Sequence, residues 1–202
     1  MKLYFSPGAC SLAVHIVLRE LQTSFSLEKV DLGRHQTADG ADYYQLAPKG
    51  CVPMLVLESG ERLTEGPVIN QYLADHFGRT DLLPAVGSLA RYRVLEWLNY
   101  VGTELHKSFA PLFNPEVDAQ GKAVFQAQLR KKFAWVSQQL ADRPYLTGDT
   151  FSIADAYLYT VASWSSFVGL DLAPYAELQA FLRRVAERPA VKQARLAEGL
   201  PG

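Results

Sequence analysis

Apolar and polar positions alternate in two different rhythms along this chain. Residues 2–6 form a short run around Leu3, Tyr4 and Phe5 that Pro7-Gly8 stops, which reads as a strand. From Cys10 to about Leu21, Leu12, Ile16, Val17 and Leu21 return near one face, the spacing of a helix. Leu27 to Val30 reads as a second strand, and polar Asp31 to Ala47 as a loop with room for a short helix. Met54 to Leu57 is a buried strand, Glu58-Ser59-Gly60-Glu61 a turn, and Arg62-Leu63-Thr64 the returning strand of a hairpin. Gly66-Pro67 opens a helix with Pro in its first turn, where the missing N–H costs nothing. It runs to about Phe77, and Gly78 ends it. The order is βαβ and then ββα, and the first unit implies parallel strands joined by a right-handed crossover.

From Ser88 onward strand signals vanish, and helical periods cover about 88–110, 117–141, 152–168 and 174–187. Pro84 to Gly87 is the linker. The pattern therefore predicts an α/β domain over residues 1–80 followed by an all-α domain over 88–202.

Composition narrows the functions without naming one. The 202 residues are 49% hydrophobic and 20% charged, with a formal net charge of -1, and no basic patch argues for a nucleic acid. The first apolar run is too short for a signal-peptide core, and no stretch approaches the ~20 apolar residues of a membrane span. Two cysteines, Cys10 and Cys51, are too few for a disulfide framework. A cytoplasmic protein with reduced thiols and no membrane partner is expected.

The candidate chemistry starts at Cys10. It follows a strand and a Pro-Gly turn at the head of the first helix, where backbone N–H groups and the helix dipole favour a thiolate. The same residue would also pack a helix start. Three places on stands Ala13, so there is no C-x-x-C dithiol. Val52-Pro53, between loop and buried strand, is either a plain trans turn or a cis bond whose Val52 backbone is left to pair with a bound peptide. Thr64-Glu65-Gly66-Pro67 either only starts a helix or receives a zwitterion, with N–H groups for its carboxylate and Glu65 for its ammonium. In the helix from Ser88, Asn99, Thr103 and His106 share a polar face at i, i+4 and i+7, with Lys107 beside it. That stripe either faces solvent or offers a His to a thiolate. Ser152-Ile153-Ala154-Asp155 is a capping box and structural, with Ser152 and Asp155 as its ends.

Six segments together resemble the glutathione S-transferase family, specifically its bacterial beta class. They are Tyr4-Phe5-Ser6-Pro7-Gly8-Ala9-Cys10-Ser11-Leu12, Pro48-Lys49-Gly50-Cys51-Val52-Pro53, Leu63-Thr64-Glu65-Gly66, Glu96-Trp97-Leu98-Asn99-Tyr100, Thr103-Glu104-Leu105-His106-Lys107 and Phe151-Ser152-Ile153-Ala154-Asp155-Ala156-Tyr157. The resemblance implies a thioredoxin-like βαβ-ββα domain, a C-terminal helical bundle and a homodimer. It implies Cys10 beside the glutathione sulfur, assisted by His106, with Ser11 as the alternative activator. Ala9, Leu32, His35, Cys51, Val52, Pro53, Glu65 and Gly66 would form the glutathione site, joined by Asn99, Thr103, Glu104, His106 and Lys107. His35 and Cys51 depart from the family pattern, where a Lys and a polar amide are common.

The function implied is conjugation of the glutathione thiolate to small hydrophobic electrophiles, the second substrate lying near Ser108 to Pro115 and Trp164. Glutathione is then a substrate, with no tightly bound cofactor and no metal. Two alternatives are a glutathione-dependent thiol–disulfide oxidoreductase acting through a Cys10 mixed disulfide, and a glutathione-binding protein without turnover.

Overall fold

The computed structural model describes residues 1–201, and they divide into two compact units. The first comprises residues 1–79 together with 188–201, and the second residues 80–187.

The first unit is built on a five-stranded sheet. Its strands are β1 (Lys2–Phe5), β2 (Ser26–Asp31), β3 (Gln36–Thr37), β4 (Met54–Val56) and β5 (Arg62–Thr64), in the order β3-β2-β1-β4-β5. β1 and β2 pair in parallel across helix α1 (Ser11–Glu20), as a βαβ unit requires, and β4–β5 is the expected antiparallel hairpin. The polar stretch read as a loop also contributes β3 and a one-turn helix α2 (Tyr43–Leu46), capped by Asp42. Tyr4, Val30, Tyr43, Ala47, Val52 and Met54 form a buried cluster on this unit, and Ala9 and Leu32 pack against it. α1 buries Ser11 through Leu18 without interruption, because it packs against both α3 (Gly66–His76) and a helix at residues 189–197.

The second unit is all helix: α4 (Leu89–Tyr100), a π-helical segment (Val101–His106), α5 (Lys107–Phe113), α6 (Ala119–Gln139), α7 (Ile153–Ser163), a 3₁₀ turn (Trp164–Val168) and α8 (Ala176–Ala186). α7 is buried on every side from Ile153 to Ala162, so it is the axis of the bundle. The predicted succession of α/β followed by all-α is borne out.

Two element readings change. The continuous helix expected over 88–110 is broken in type: α-helical bonding gives way to π-helix over Val101–His106, a bulge that hydropathy does not encode. The sequence reading also ended its helices at 187, whereas α9 (Pro189–Ala197) follows and belongs with the first unit. The signal available was Pro189, again in the first turn.

Candidate functional site

Cys10 stands at the head of α1, as its N-cap. Its thiol is half-buried and donates to the backbone oxygen of Val52 at 3.1 Å. Burial pushes it up to about 12; the backbone N–H groups of Cys10 and Ser11 pull the other way, and the Cys51 and Glu65 charges oppose ionisation further. At this thiol desolvation outweighs the helix terminus, against the direction expected from the helix head alone. Ser11 departs from expectation as well. It is fully buried, donates to Ser6 O at 3.3 Å and accepts the Ser6 N–H at 3.2 Å, so it braces the strand-to-helix turn and is not placed as an activator.

Val52 precedes a cis peptide to Pro53 and lies outside the sheet ladder, which begins at Met54. On its other side, a Cβ placed on Gly66 would lie 3.6 Å from the Pro53 ring, so the start of α3 abuts the proline. Glu65, just before it, has φ 69° and sends its exposed carboxylate to Lys49 Nζ at 2.7 Å. Lys49 also donates to Thr64 at 3.2 Å. A non-glycine residue held at positive φ costs of order 1–3 kcal/mol, and such residues concentrate at functional sites.

His35 shares that property, with φ 52°. Its ring stacks on Tyr44 at 4.4 Å between centroids, and its buried Nδ1 has no hydrogen-bond partner among the described residues. Gly50 (φ 64°) closes the other side, where a Cβ would come within 2.5 Å of the Tyr44 ring and 3.1 Å of His35 Nδ1. Cys51 follows, exposed, its thiol donating to Lys49 O at 3.2 Å. Cys10, Cys51, Val52, Pro53, Glu65, Gly66 and His35 thus line one connected stretch of the first unit. Ala9 and Leu32 are packing residues beneath it.

In the second unit Asn99, Thr103, Glu104 and Lys107 are exposed and His106 is half-buried. Thr103 donates to the Asn99 carbonyl, and Glu104 pairs with Lys132 at 3.0 Å. The π segment changes the register between Asn99 and His106, so the i, i+4, i+7 stripe drawn for a regular helix does not hold as drawn. His106 Nδ1 lies 2.6 Å from the Tyr157 hydroxyl, and its ring packs edge-on against Trp164 at 4.7 Å. Phe109 and Phe113 also meet Trp164. Among the described residues no group of His, Cys, Asp and Glu is placed to hold a metal ion, and no helix is long and apolar enough to cross a membrane.

The sequence reading missed Lys49, Tyr44, Lys132 and Tyr157. Lys49 lies in the Pro48–Pro53 motif, but nothing local says that it reaches Glu65. Tyr157 lies next to the capping box, and nothing local announces its role, because its partner His106 lies 51 positions away.

The family model "Glutathione S-transferase, N-terminal domain" matches residues 7–76, and "Glutathione S-transferase, C-terminal domain" matches residues 114–192. The chain is 49% identical over 200 residues to glutathione S-transferase GstA of Escherichia coli O157:H7, covering 99% of this chain and 100% of that one. A sphingomonad glutathione S-transferase solved in complex with glutathione is 46% identical, with TM-score 0.95 and 100% of both chains covered. A bacterial beta-class glutathione S-transferase of Sphingomonas chungbukensis is 42% identical, with TM-score 0.96 and 100% of both chains covered. With both family models in place, and a cysteine at a helix head facing a cis-proline clamp, this chain belongs to the glutathione S-transferase family, in its bacterial beta class.

Proposed function

We propose that this protein binds glutathione along the Cys10–Val52–Glu65 stretch and transfers its thiolate to small hydrophobic electrophiles. The observation that carries the reading is the Val52 backbone, outside the sheet ahead of cis-Pro53 and in contact with the Cys10 thiol. An extended tripeptide pairs with such a segment as an added strand. Its cysteinyl amide then competes for the carbonyl that Cys10 now occupies. The γ-glutamyl carboxylate meets N–H groups at the start of α3, and its ammonium displaces Lys49 from Glu65. His35 faces the glycyl carboxylate. Cys10 lies beside the glutathione sulfur; by the family resemblance His106, which Tyr157 holds, and Asn99, Thr103, Glu104 and Lys107 are the helical unit's contribution to binding glutathione. The thiolate attacks the electrophilic carbon, a C–S bond forms, and the leaving group departs with its electron pair. Phe109, Phe113 and Trp164 offer the electrophile an aromatic wall. The active form is a cytoplasmic homodimer with glutathione as substrate and no tightly bound cofactor.

The test is retention on immobilised glutathione followed by conjugation of an activated aryl chloride. Retention without turnover would support the binding-only alternative, and no retention would overturn the reading. Glu65→Ala is expected to raise KM for glutathione about tenfold and change kcat less than about twofold, since a remote ammonium is bound equally in ground and transition states. A collapse of kcat at unchanged KM would contradict that role.

A further inference from the structure

We propose that Tyr157 is a positioning residue that fixes the tautomer of His106: its hydroxyl donates to Nδ1, which keeps the imidazole proton on Nε2 and makes His106 a hydrogen-bond donor to a thiolate instead of a base for a thiol. The hydroxyl and Nδ1 lie 2.6 Å apart. Of the two groups, the phenol O–H is the more acidic donor and the imidazole nitrogen the more basic acceptor, so the proton between them belongs to the phenol. A neutral imidazole carries one N–H, and with Nδ1 accepting, that N–H is on Nε2.

Both partners are built to keep this geometry. Tyr157 comes from α7, the axis of the bundle, and is 4% exposed. A Cβ placed on Gly102 would lie 3.7 Å from the Tyr157 hydroxyl and 3.8 Å from its ring, so the phenol stands against the π segment at both Gly102 and His106. His106 is the last residue of that segment, and the wider π turn rotates it away from the direction a regular α-helix would give it. Trp164, buried, meets the imidazole edge-on at 4.7 Å and is itself backed by Phe109 at 5.6 Å. The hydrogen bond and the indole together fix how the ring is turned. The charged groups on the same stretch are Lys107 and Glu104, the latter paired with Lys132 of α6 at 3.0 Å. The consequence for turnover rests on the glutathione reading, with His106 assisting at the thiol. There the thiol proton passes to solvent, and Nε2–H donates to the thiolate that remains, stabilising the nucleophile before it attacks.

The first measurement needs no ligand. Nitrogen NMR of the imidazoles in isotope-labelled full-length protein, at mildly alkaline pH where an ordinary imidazole is neutral, reads the tautomer of each of the four histidines. The His106 signals are those missing from His106→Asn. The wild type is expected to show a protonated Nε2 and a bare Nδ1, and Tyr157→Phe, which keeps the ring, an average over both tautomers. A protonated Nδ1 in the wild type, or a tautomer that Tyr157→Phe leaves unmoved, would overturn the proposal. The second measurement titrates the ultraviolet absorbance of the bound glutathione thiolate. Tyr157→Phe is expected to raise the pKa of that thiol by about one unit and to lower kcat/KM about tenfold at neutral pH, while S-methylglutathione binds within about twofold of wild type. An unchanged thiolate titration would remove Tyr157 from the reaction, since a phenol that only fills the core has no hold on the sulfur. If S-methylglutathione fails to bind the wild type while the NMR shows the expected tautomers, the glutathione reading falls and the Tyr157–His106 assignment stands.

Discussion

At the scale of single residues, the site departs from expectation where burial competes with local backbone charge. The sequence put Cys10 at a helix head, and that placement is real. It carries no information about the Val52 carbonyl that the thiol meets, or about the desolvation that raises the thiol to about 12. Iodoacetamide at neutral pH is therefore expected to label exposed Cys51 before Cys10, as read by peptide mapping over time. Faster labelling of Cys10 would show that the helix terminus wins after all. Glu65 was legible as a candidate from its motif, and His35 only from the family resemblance. Their left-handed backbones were not, since nothing in Thr64-Glu65-Gly66 or Arg34-His35-Gln36 requires positive φ. That geometry comes from the fold around them, Lys49 holding the first side chain and Tyr44 with Gly50 enclosing the second.

At the scale of elements, caps and turns were readable because their chemistry is local, whereas the π segment was not, because hydropathy reports faces and not hydrogen-bond register. α7 shows how much a cap can hold. Asp155 is fully buried and accepts from the Ser152 N–H and hydroxyl and from the Leu146 N–H. Asp155→Ala leaves two buried backbone donors unpaired and is expected to cost about 3 kcal/mol in urea unfolding, more than an exposed cap. Burial also raises its carboxyl from 3.8 to about 6, and the three donors only partly offset this. The folded state then holds the proton more tightly than the unfolded state. Stability from this group is complete below about 3.8 and declines as pH rises through about 6. Asp155→Asn should flatten that part of the Tm-against-pH curve, and an unchanged slope would place the titration elsewhere.

At the scale of the whole molecule, the order of α/β and all-α segments was plain from the change of period, but the return of residues 188–201 to the first unit was not. Long-range pairing leaves no periodic trace. Arg188 grips Glu20 through both carboxylate oxygens at 2.6 and 3.0 Å. Glu198 accepts a hydrogen bond from His15 Nδ1 at 2.9 Å and, with its other oxygen, one from the Gly8 N–H at 2.9 Å. Arg19 donates to His15 Nε2, which fixes the tautomer. Both side chains of the His15–Glu198 pair are fully buried. Glu198→Gln turns an amide N–H toward one of those donors, and an expected loss of about 3 kcal/mol follows from the unpaired groups. The readout is chemical denaturation together with KM for glutathione, because Gly8 belongs to the turn that presents Cys10. Loss of stability with unchanged KM would confine Glu198 to holding the fold.

That contact between Gly8 and Glu198 spans 190 positions, and it sets an order of events during synthesis. The ribosome emits the cysteine-bearing turn 190 residues before the carboxylate that fastens it. While the intervening residues are made, the nascent chain has its thiols but not the clasp. A message cut short before Arg188 yields a polypeptide with every motif of the glutathione site but without the Glu198 carboxylate that accepts the Gly8 N–H. The finished site thus certifies that translation has passed Glu198.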